Sequence, residues 1–200
     1  NFPNFEPVRL VIGKAVTSMP CVEAPLYLTE YWEKPIAGGV PIFPERIVVE
    51  DGNNAFTVEN GMLIQVRTHT VVLAEKGLTE AVIPEGVTAI GTWAFMDRNV
   101  QSVQFPRTLK RIGTKAFDSC KALTRLQFPD ALESIDSCAF LLCTGLETVV
   151  FPQSLKQIGA FAFAGCERLS DMELPLKLRA LGEEAFSGCA VRAVTLPKSL

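Results

Sequence analysis

The chain has 200 residues, of which 48% are hydrophobic, and its 19 basic and 22 acidic side chains give a formal net charge of −3. This hydrophobic fraction excludes a disordered chain, and the slightly acidic balance gives no electrostatic reason to expect a nucleic-acid partner. No apolar run reaches the ~18 residues that a membrane-spanning helix needs, so we expect no membrane insertion.

The first third of the chain carries an apparent insertion, residues 20–45, rich in proline and glycine ("EKPIAGGVPIFPE"). Three aromatic side chains lie close together in it: Tyr27, Tyr31 and Trp32. Clustered aromatics can anchor a protein interface, which makes them an alternative binding patch. The simpler interpretation, which we favour, is that they cover the end of a hydrophobic core.

Residues 46–77 read as alternating strands in which "ENG" and "RTHT" are turns. The second turn contains His69, the only histidine, so a Ser–His or Cys–His pair could use this residue alone. We expect it to be exposed. The stretch "EDGNNAFTVENG" partly resembles a calcium-binding loop, but Ala55 and Met62 occupy positions that should supply oxygen ligands. No metal, cofactor or catalytic residue is therefore predicted.

From residue 78 onward the sequence repeats with a period of 22 or 23 residues, marked by six prolines: Pro84, Pro106, Pro129, Pro152, Pro175 and Pro197. Each proline follows a phrase such as "LTRLQFP", with apolar residues at its first, fourth and sixth positions. This pattern predicts a strand that proline ends, because proline has no N–H to donate. Leu, Ile, Gly, Ala-Phe and Cys then recur at fixed positions after each proline.

Self-similarity at this period is typical of a solenoid, in which each unit buries its apolar face against its neighbours. The few large side chains of one repeat cannot offset the conformational entropy lost when about 23 residues become ordered. A single repeat is therefore not expected to fold alone, and the sequence predicts a stack of coils.

The repeated pattern "LxxLxFPxxLxxIGxxAFxxC" over residues 78–200 resembles the BspA-type leucine-rich repeat of bacterial and some protist surface proteins. The resemblance implies an α/β solenoid: a right-handed superhelix with parallel strands on its concave face and a short helical turn around "AFxxC". Residues 1–77 would then be a divergent cap with irregular, hairpin-bearing repeats and the insertion. Residues 10–19 fit the same frame, with Gly13 in place of proline.

Four cysteines recur in one column of the repeat, at Cys120, Cys143, Cys166 and Cys189, while Cys21 and Cys138 lie outside it. Equivalent side chains of stacked coils lie in a row at ~4.8 Å, which suits neither the geometry of a disulfide nor four ligands converging on zinc. We predict that the column packs in the core, with occasional disulfides or a metal site as weaker alternatives. Cys138 is expected to be the more accessible thiol.

On the predicted strands, the residue types at outward positions vary from repeat to repeat, whereas those at inward positions stay apolar. We predict a binding face of mixed charge there, made by Gln104, Arg125, Gln127 and Thr148 and flanked by the acidic Asp171 and Glu173. Solenoids use such surfaces for binding, although a simply solvated sheet would show the same variation.

The resulting hypothesis is a non-enzymatic leucine-rich-repeat protein that mediates protein–protein interaction. By resemblance it would be secreted or exposed at a cell surface, adhesive towards host or other cell-surface proteins, although no signal peptide stands in these residues. The alternatives are an architectural spacer and, less favoured, an enzyme with its site in the insertion. Leu200 stands three residues after Pro197 in an unfinished repeat, so either further residues follow it or the end packs against another chain. A homodimer through the C-terminal coil is one hypothesis from this.

Overall fold

The computed structural model describes residues 9–18, 44–170 and 172–200. Tyr27, Tyr31, Trp32, Asp171 and Cys21 lie outside the described residues. The strands in chain order are β1 Arg9–Ile12, β2 Arg46–Val49, β3 Phe56–Glu59, β4 Met62–Gln65, β5 Thr70–Ala74, β6 Glu80–Val82, β7 Ala89–Ile90, β8 Ser102–Gln104, β9 Arg111–Ile112, β10 Arg125–Gln127, β11 Ser134–Ile135, β12 Thr148–Val150, β13 Gln157–Ile158 and β14 Ala180–Leu181.

The predicted strands before the prolines form in the first four regular repeats, as β6, β8, β10 and β12. They pair in parallel as β6 with β8 and as β10 with β12, and Arg125 stands opposite Thr148. The phrases that end at Pro175 and Pro197 form no strand in the described residues, so the prediction was wrong there.

A second row of strands follows the prolines and was not predicted. Two-residue strands of successive coils pair in parallel and join the N-terminal hairpins in one sheet, of order β14-β13-β11-β9-β7-β5-β4-β3. The isoleucine six residues after each of the first four of these prolines is in register from coil to coil, as in Ile112↔Ile135 and Ile135↔Ile158. This register of equivalent residues confirms the predicted stack of parallel coils.

The predicted helical turns around "AFxxC" are wrong, because the described residues contain no helix and each of these segments is a string of tight turns. Two residues in each segment have positive φ, as do Cys138 (57°) and Leu142 (56°), whereas an α-helix requires negative φ throughout. The Phe140 N–H donates to the Ala162 carbonyl of the next coil at 2.7 Å rather than along its own segment. The fold is therefore a β-solenoid.

The core is organised in columns that run along the stack. The rings of Phe95, Phe117, Phe140, Phe163 and Phe186 lie nearly parallel, with centroids 4.7, 5.1, 5.1 and 5.3 Å apart. A second column, Phe105, Phe128 and Phe151, packs against the first one. Because each inner ring contacts equivalent rings above and below, an inner coil cannot bury its phenylalanine without its neighbours.

The N-terminal part follows the prediction of strands and turns. Strands β3, β4 and β5 are antiparallel neighbours, and the predicted "ENG" turn has positive φ at Asn60 (50°) and Gly61 (72°). Strand β4 has two buried faces: Met62 and Ile64 join the main core, and Leu63 joins a smaller cluster with β1 and β2. The division into residues 1–77 and 78–200 stays a prediction. No helix among the described residues is long and apolar enough to cross a membrane.

Candidate functional site

The strand face is the set of outward side chains on β6, β8, β10 and β12: Glu80, Val82, Ser102, Gln104, Arg125, Gln127, Thr148 and Val150. Strand alternation turns Ala81, Leu126 and Val149 into the core and leaves the residues on either side of them outward. Gln104, Arg125 and Gln127 are exposed as predicted, while Thr148 is half-buried.

Strand register brings the predicted residues together in two groups. Arg125 lies beside Thr148 and Gln127 beside Val150 on the β10–β12 pair, whereas Gln104 lies beside Val82 on the β6–β8 pair. Strands β8 and β10 are not paired in one sheet, but they contact each other, so the two groups are neighbours on one face. Glu173 is exposed but lies on no strand, and Asp171 is outside the described residues.

The strand face exposes apolar and polar groups side by side. Val82 and Val150 are 42% and 55% exposed and lie beside polar amides in register. Within the described part of the chain, the side chains of Gln104, Arg125 and Gln127 form no hydrogen bond or ion pair, so their donors and acceptors face solvent. Such a face can offer apolar contact and hydrogen bonds to a partner at the same time.

The cysteine column packs in the core, as predicted. The Sγ atoms donate to phenylalanine carbonyls of the preceding coil, Cys120 to Phe95 at 3.0 Å and Cys143 to Phe117 at 3.1 Å, and Cys166 repeats this at 3.2 Å. Burial raises the pKa of the Cys120 thiol to about 12. All five cysteines of the described residues are free thiols, and Cys138 and Cys189 are half-buried.

Thiol labelling of the native protein should follow this burial. We expect iodoacetamide at pH 8 to modify Cys138 before Cys120, Cys143 and Cys166, because thiolate formation and access both control the reaction. The buried three should react only in guanidinium, and peptide mass spectrometry after a time series would show the order. Rapid modification of Cys143 in the folded protein would contradict the burial of this cysteine column in the core.

Arg98 takes the place of cysteine in the first regular coil. Its guanidinium is buried and donates to the Ala74 carbonyl from Nε at 3.2 Å and Nη2 at 2.9 Å, and from Nη1 to the Met96 carbonyl. Burial lowers its pKa to about 10. The contact ties strand β5 of the hairpins to the first regular coil, which explains a cation in an otherwise apolar column.

A charged groove, which the sequence analysis missed, lies on a different part of the surface. This basic groove has a volume of about 450 Å³, and its charged lining residues are Lys110, Asp130, Glu133, Lys156, Lys177 and Arg179. Four of them occupy the fourth position after successive prolines: Lys110, Glu133, Lys156 and Arg179. The hydrogen bond and ion pair from Lys156 hold the pKa of Glu133 below its usual value.

The remaining candidates show no further assembly of reactive groups. His69 is exposed in the predicted turn, with a φ of 51°. Among the residues that the structure describes, no three His, Cys, Asp or Glu side chains gather as metal ligands would. The homodimer through the C-terminal coil stays a prediction.

Comparison with known proteins places these features in a family. Residues 71–192 match six copies of the family described as "BspA type Leucine rich repeat region". The crystal structure of a leucine-rich repeat protein of T. pallidum is similar, with 32% identity and a TM-score of 0.61, over 71% of this chain and 68% of that one. No curated protein matches the sequence.

Two further crystal structures resemble the fold alone. The pneumococcal vaccine antigen PcpA is 17% identical, with a TM-score of 0.72, and the similarity covers 94% of this chain and 44% of the antigen. A leucine-rich cell surface protein of Faecalibacterium prausnitzii A2-165 is 22% identical, with a TM-score of 0.54, over 72% of this chain and 49% of that one. Repeat pattern, stacked coils and family match agree, and the chain belongs to the BspA-type leucine-rich repeat family.

Proposed function

We propose that this protein is a non-enzymatic interaction module that binds another protein through the strand face. By analogy with its structural relatives, we propose that it acts outside the cell, secreted or at the cell surface. Its partner would be a host protein or another cell-surface protein, bound in an adhesion-like role.

One observation supports the proposal most: the strand face combines exposed valines with unpaired polar side chains on a rigid support. Leu126 and Val149, which lie between the outward residues, are almost completely buried, so strands β10 and β12 are held by the core. Ordering such a surface on binding costs little conformational entropy, because its backbone is already fixed.

Similarity to surface proteins supports the location. The Faecalibacterium relative is a cell surface protein by its description, and the pneumococcal relative is a vaccine antigen. Their identities to this chain are too low to carry over a particular ligand, so the proposal names only a protein partner.

A pull-down with matched variants would test the proposal. The test variant changes Gln104, Arg125, Gln127 and Thr148 to alanine. The control variant changes Arg107 and Gln157 to alanine, and these two residues are exposed outside the strand face. Each purified protein would be immobilised and offered host extracellular proteins and a bacterial surface extract. Circular dichroism would verify that all three proteins are folded.

We expect a partner that wild type and control retain and that the test variant loses by about tenfold or more, since buried interface anchors commonly contribute over 1 kcal/mol each. A partner held equally by all three proteins would exclude the strand face as the site. The absence of any partner would favour the architectural spacer.

A further inference from the structure

We propose that the basic groove is a second binding site, which takes an extended acidic segment of a partner protein with a hydrophobic residue beside its carboxylates. The groove follows the prolines, whereas the strand face precedes them. The two proposals therefore concern different side chains and can fail independently.

The charges of the groove have the opposite sign to the protein as a whole. Four cations and two carboxylates line it, while the chain carries a net charge of −3. Lys156 pairs with Glu133. No carboxylate of the described residues lies within ion-pair distance of Lys177 or Arg179, which are both exposed. The end of the groove formed by these two residues is thus an unneutralised positive site.

Stacking of the coils creates this concentration of charge. Backbone hydrogen bonds join four of the lining residues from coil to coil. The N–H of Glu133 donates to the Lys110 carbonyl at 2.8 Å, that of Lys156 to the Glu133 carbonyl at 2.9 Å, and that of Arg179 to the Lys156 carbonyl at 2.8 Å. Their backbones are therefore held a few ångströms apart. Glu133 pairs with Lys156, but no carboxylate of the described residues pairs with Arg179, the next residue of this row. A carboxylate from outside would compensate the charge of Arg179.

The polar floor of the groove is already satisfied. The Ser154 hydroxyl donates to the Leu132 carbonyl at 2.7 Å, and the Ser199 hydroxyl donates to the Leu176 carbonyl at 2.9 Å. Gln153 Oε1 accepts from the Leu176 N–H at 3.1 Å. These bonds fix the loops that carry Lys177 and Arg179, so a ligand would meet a preformed site.

Leu176 selects a peptide over a polyanion. It lines the groove and is 75% exposed, the highest value among the exposed large hydrophobic residues of the described chain. A hydrophobic side chain of a bound peptide would cover it. Asp130 and Glu133 would repel a continuous polyanion such as nucleic acid or polyphosphate at the other end of the groove.

The length of the groove also suits a short peptide. Lys110 and Arg179 are three coils apart, or about 14 Å at the usual strand spacing. An extended chain covers this distance with about four residues. A hexapeptide can therefore span the groove and place a carboxylate near Arg179 while a neighbouring apolar residue contacts Leu176.

Fluorescence polarisation with a fluorescein-labelled peptide of sequence EELEEL would test the proposal. Two further peptides, QQLQQL and EESEES, separate the contribution of charge from that of the apolar residue, and polyphosphate serves as the polyanion. The protein variants are Lys177→Glu with Arg179→Glu, Leu176→Ser alone, and Arg67→Glu with Lys121→Glu. The last pair makes the same change in net charge at exposed positions outside the groove.

We expect EELEEL to bind wild type and the Arg67–Lys121 variant equally. The Lys177–Arg179 variant should bind at least about tenfold more weakly, because it replaces attraction with repulsion at two positions. Leu176→Ser should weaken EELEEL several-fold and leave EESEES unaffected, and raised salt should weaken all binding. Equal binding to the reversed-charge variant, no binding up to about 1 mM, or polyphosphate binding that exceeds EELEEL would overturn the proposal.

Discussion

Replacement of Phe140 by alanine is expected to lower the free energy of unfolding by about 3–5 kcal/mol, the range for a phenylalanine removed from a packed core. The side chain is fully buried. Its ring lies 5.1 Å from that of Phe117 on one side and 5.1 Å from that of Phe163 on the other. The change therefore leaves a cavity and also breaks two stacking contacts in the middle of the solenoid.

Phe186→Ala is the matched control for this prediction. Phe186 belongs to the same column but is half-buried, and among the described residues its ring stacks on Phe163 and meets Phe151 edge-on, so its loss should cost clearly less. Guanidinium unfolding followed by circular dichroism would measure both variants. Equal losses at the two positions would show that the phenylalanines contribute independently and that the column is not cooperative.

Gly159→Ala is expected to destabilise the protein by at least about 3 kcal/mol, at the upper end of the range for overpacking. A Cβ at this position would lie 2.4 Å from Ser137 N and 2.5 Å from the Asp136 carbonyl carbon, both backbone atoms of the preceding coil. Backbone atoms cannot rotate away, so the methyl group would push the two coils apart. The φ of Gly159 is not in the left-handed region, so the effect is one of space alone.

Gly77→Ala provides the comparison, because a Cβ there would meet no atom within 4 Å. We expect its free energy of unfolding to stay within about 0.5 kcal/mol of wild type. Thermal or guanidinium unfolding of the two variants side by side would check the difference. A Gly159→Ala protein as stable as the Gly77→Ala protein would mean that the coils can separate at little cost.

The stack of coils was predictable because burial restricts the residue type at more than one position of every repeat. Phe140 must fit between equivalent rings of two neighbours, and Cys143 must reach the carbonyl of Phe117, so each column admits few residue types. These repeated restrictions leave a period in the sequence that is visible without coordinates. The turn at Asn60–Gly61 was predictable for a local reason, since these residues readily adopt positive φ.

The second row of strands and the tight turns around "AFxxC" were not predictable from the sequence pattern. Each strand of that row has only two residues, as in Ser134–Ile135, which is too short for an alternation to be read. The segment "AFxxC" gives no local indication that Cys138 and Leu142 adopt positive φ, which their residue types disfavour. Hydrogen bonds to the next coil impose that conformation, and such bonds are invisible in a single repeat.

Exposure on the strand face was predictable from alternation, but the grouping of its residues was not. Gln104 and Gln127 occupy equivalent positions, yet they lie on separate two-stranded sheets. The basic groove was missed because its residues come from different coils, and the shared repeat position of Lys110, Lys156 and Arg179 does not by itself show that their charges gather on one surface. Exposed side chains are not restricted by core packing, so their arrangement leaves no repeated pattern in the sequence.

Site-specific photo-crosslinking would test most directly whether the strand face is where the protein binds. A benzoylphenylalanine would replace Gln127 on the strand face in one protein and Gln157 on the other row of strands in a second; both positions are exposed. We predict that the partner retained by the wild-type protein crosslinks to position 127 and not to position 157. Crosslinking at position 157 alone, or none at position 127 while the partner stays bound, would contradict this account.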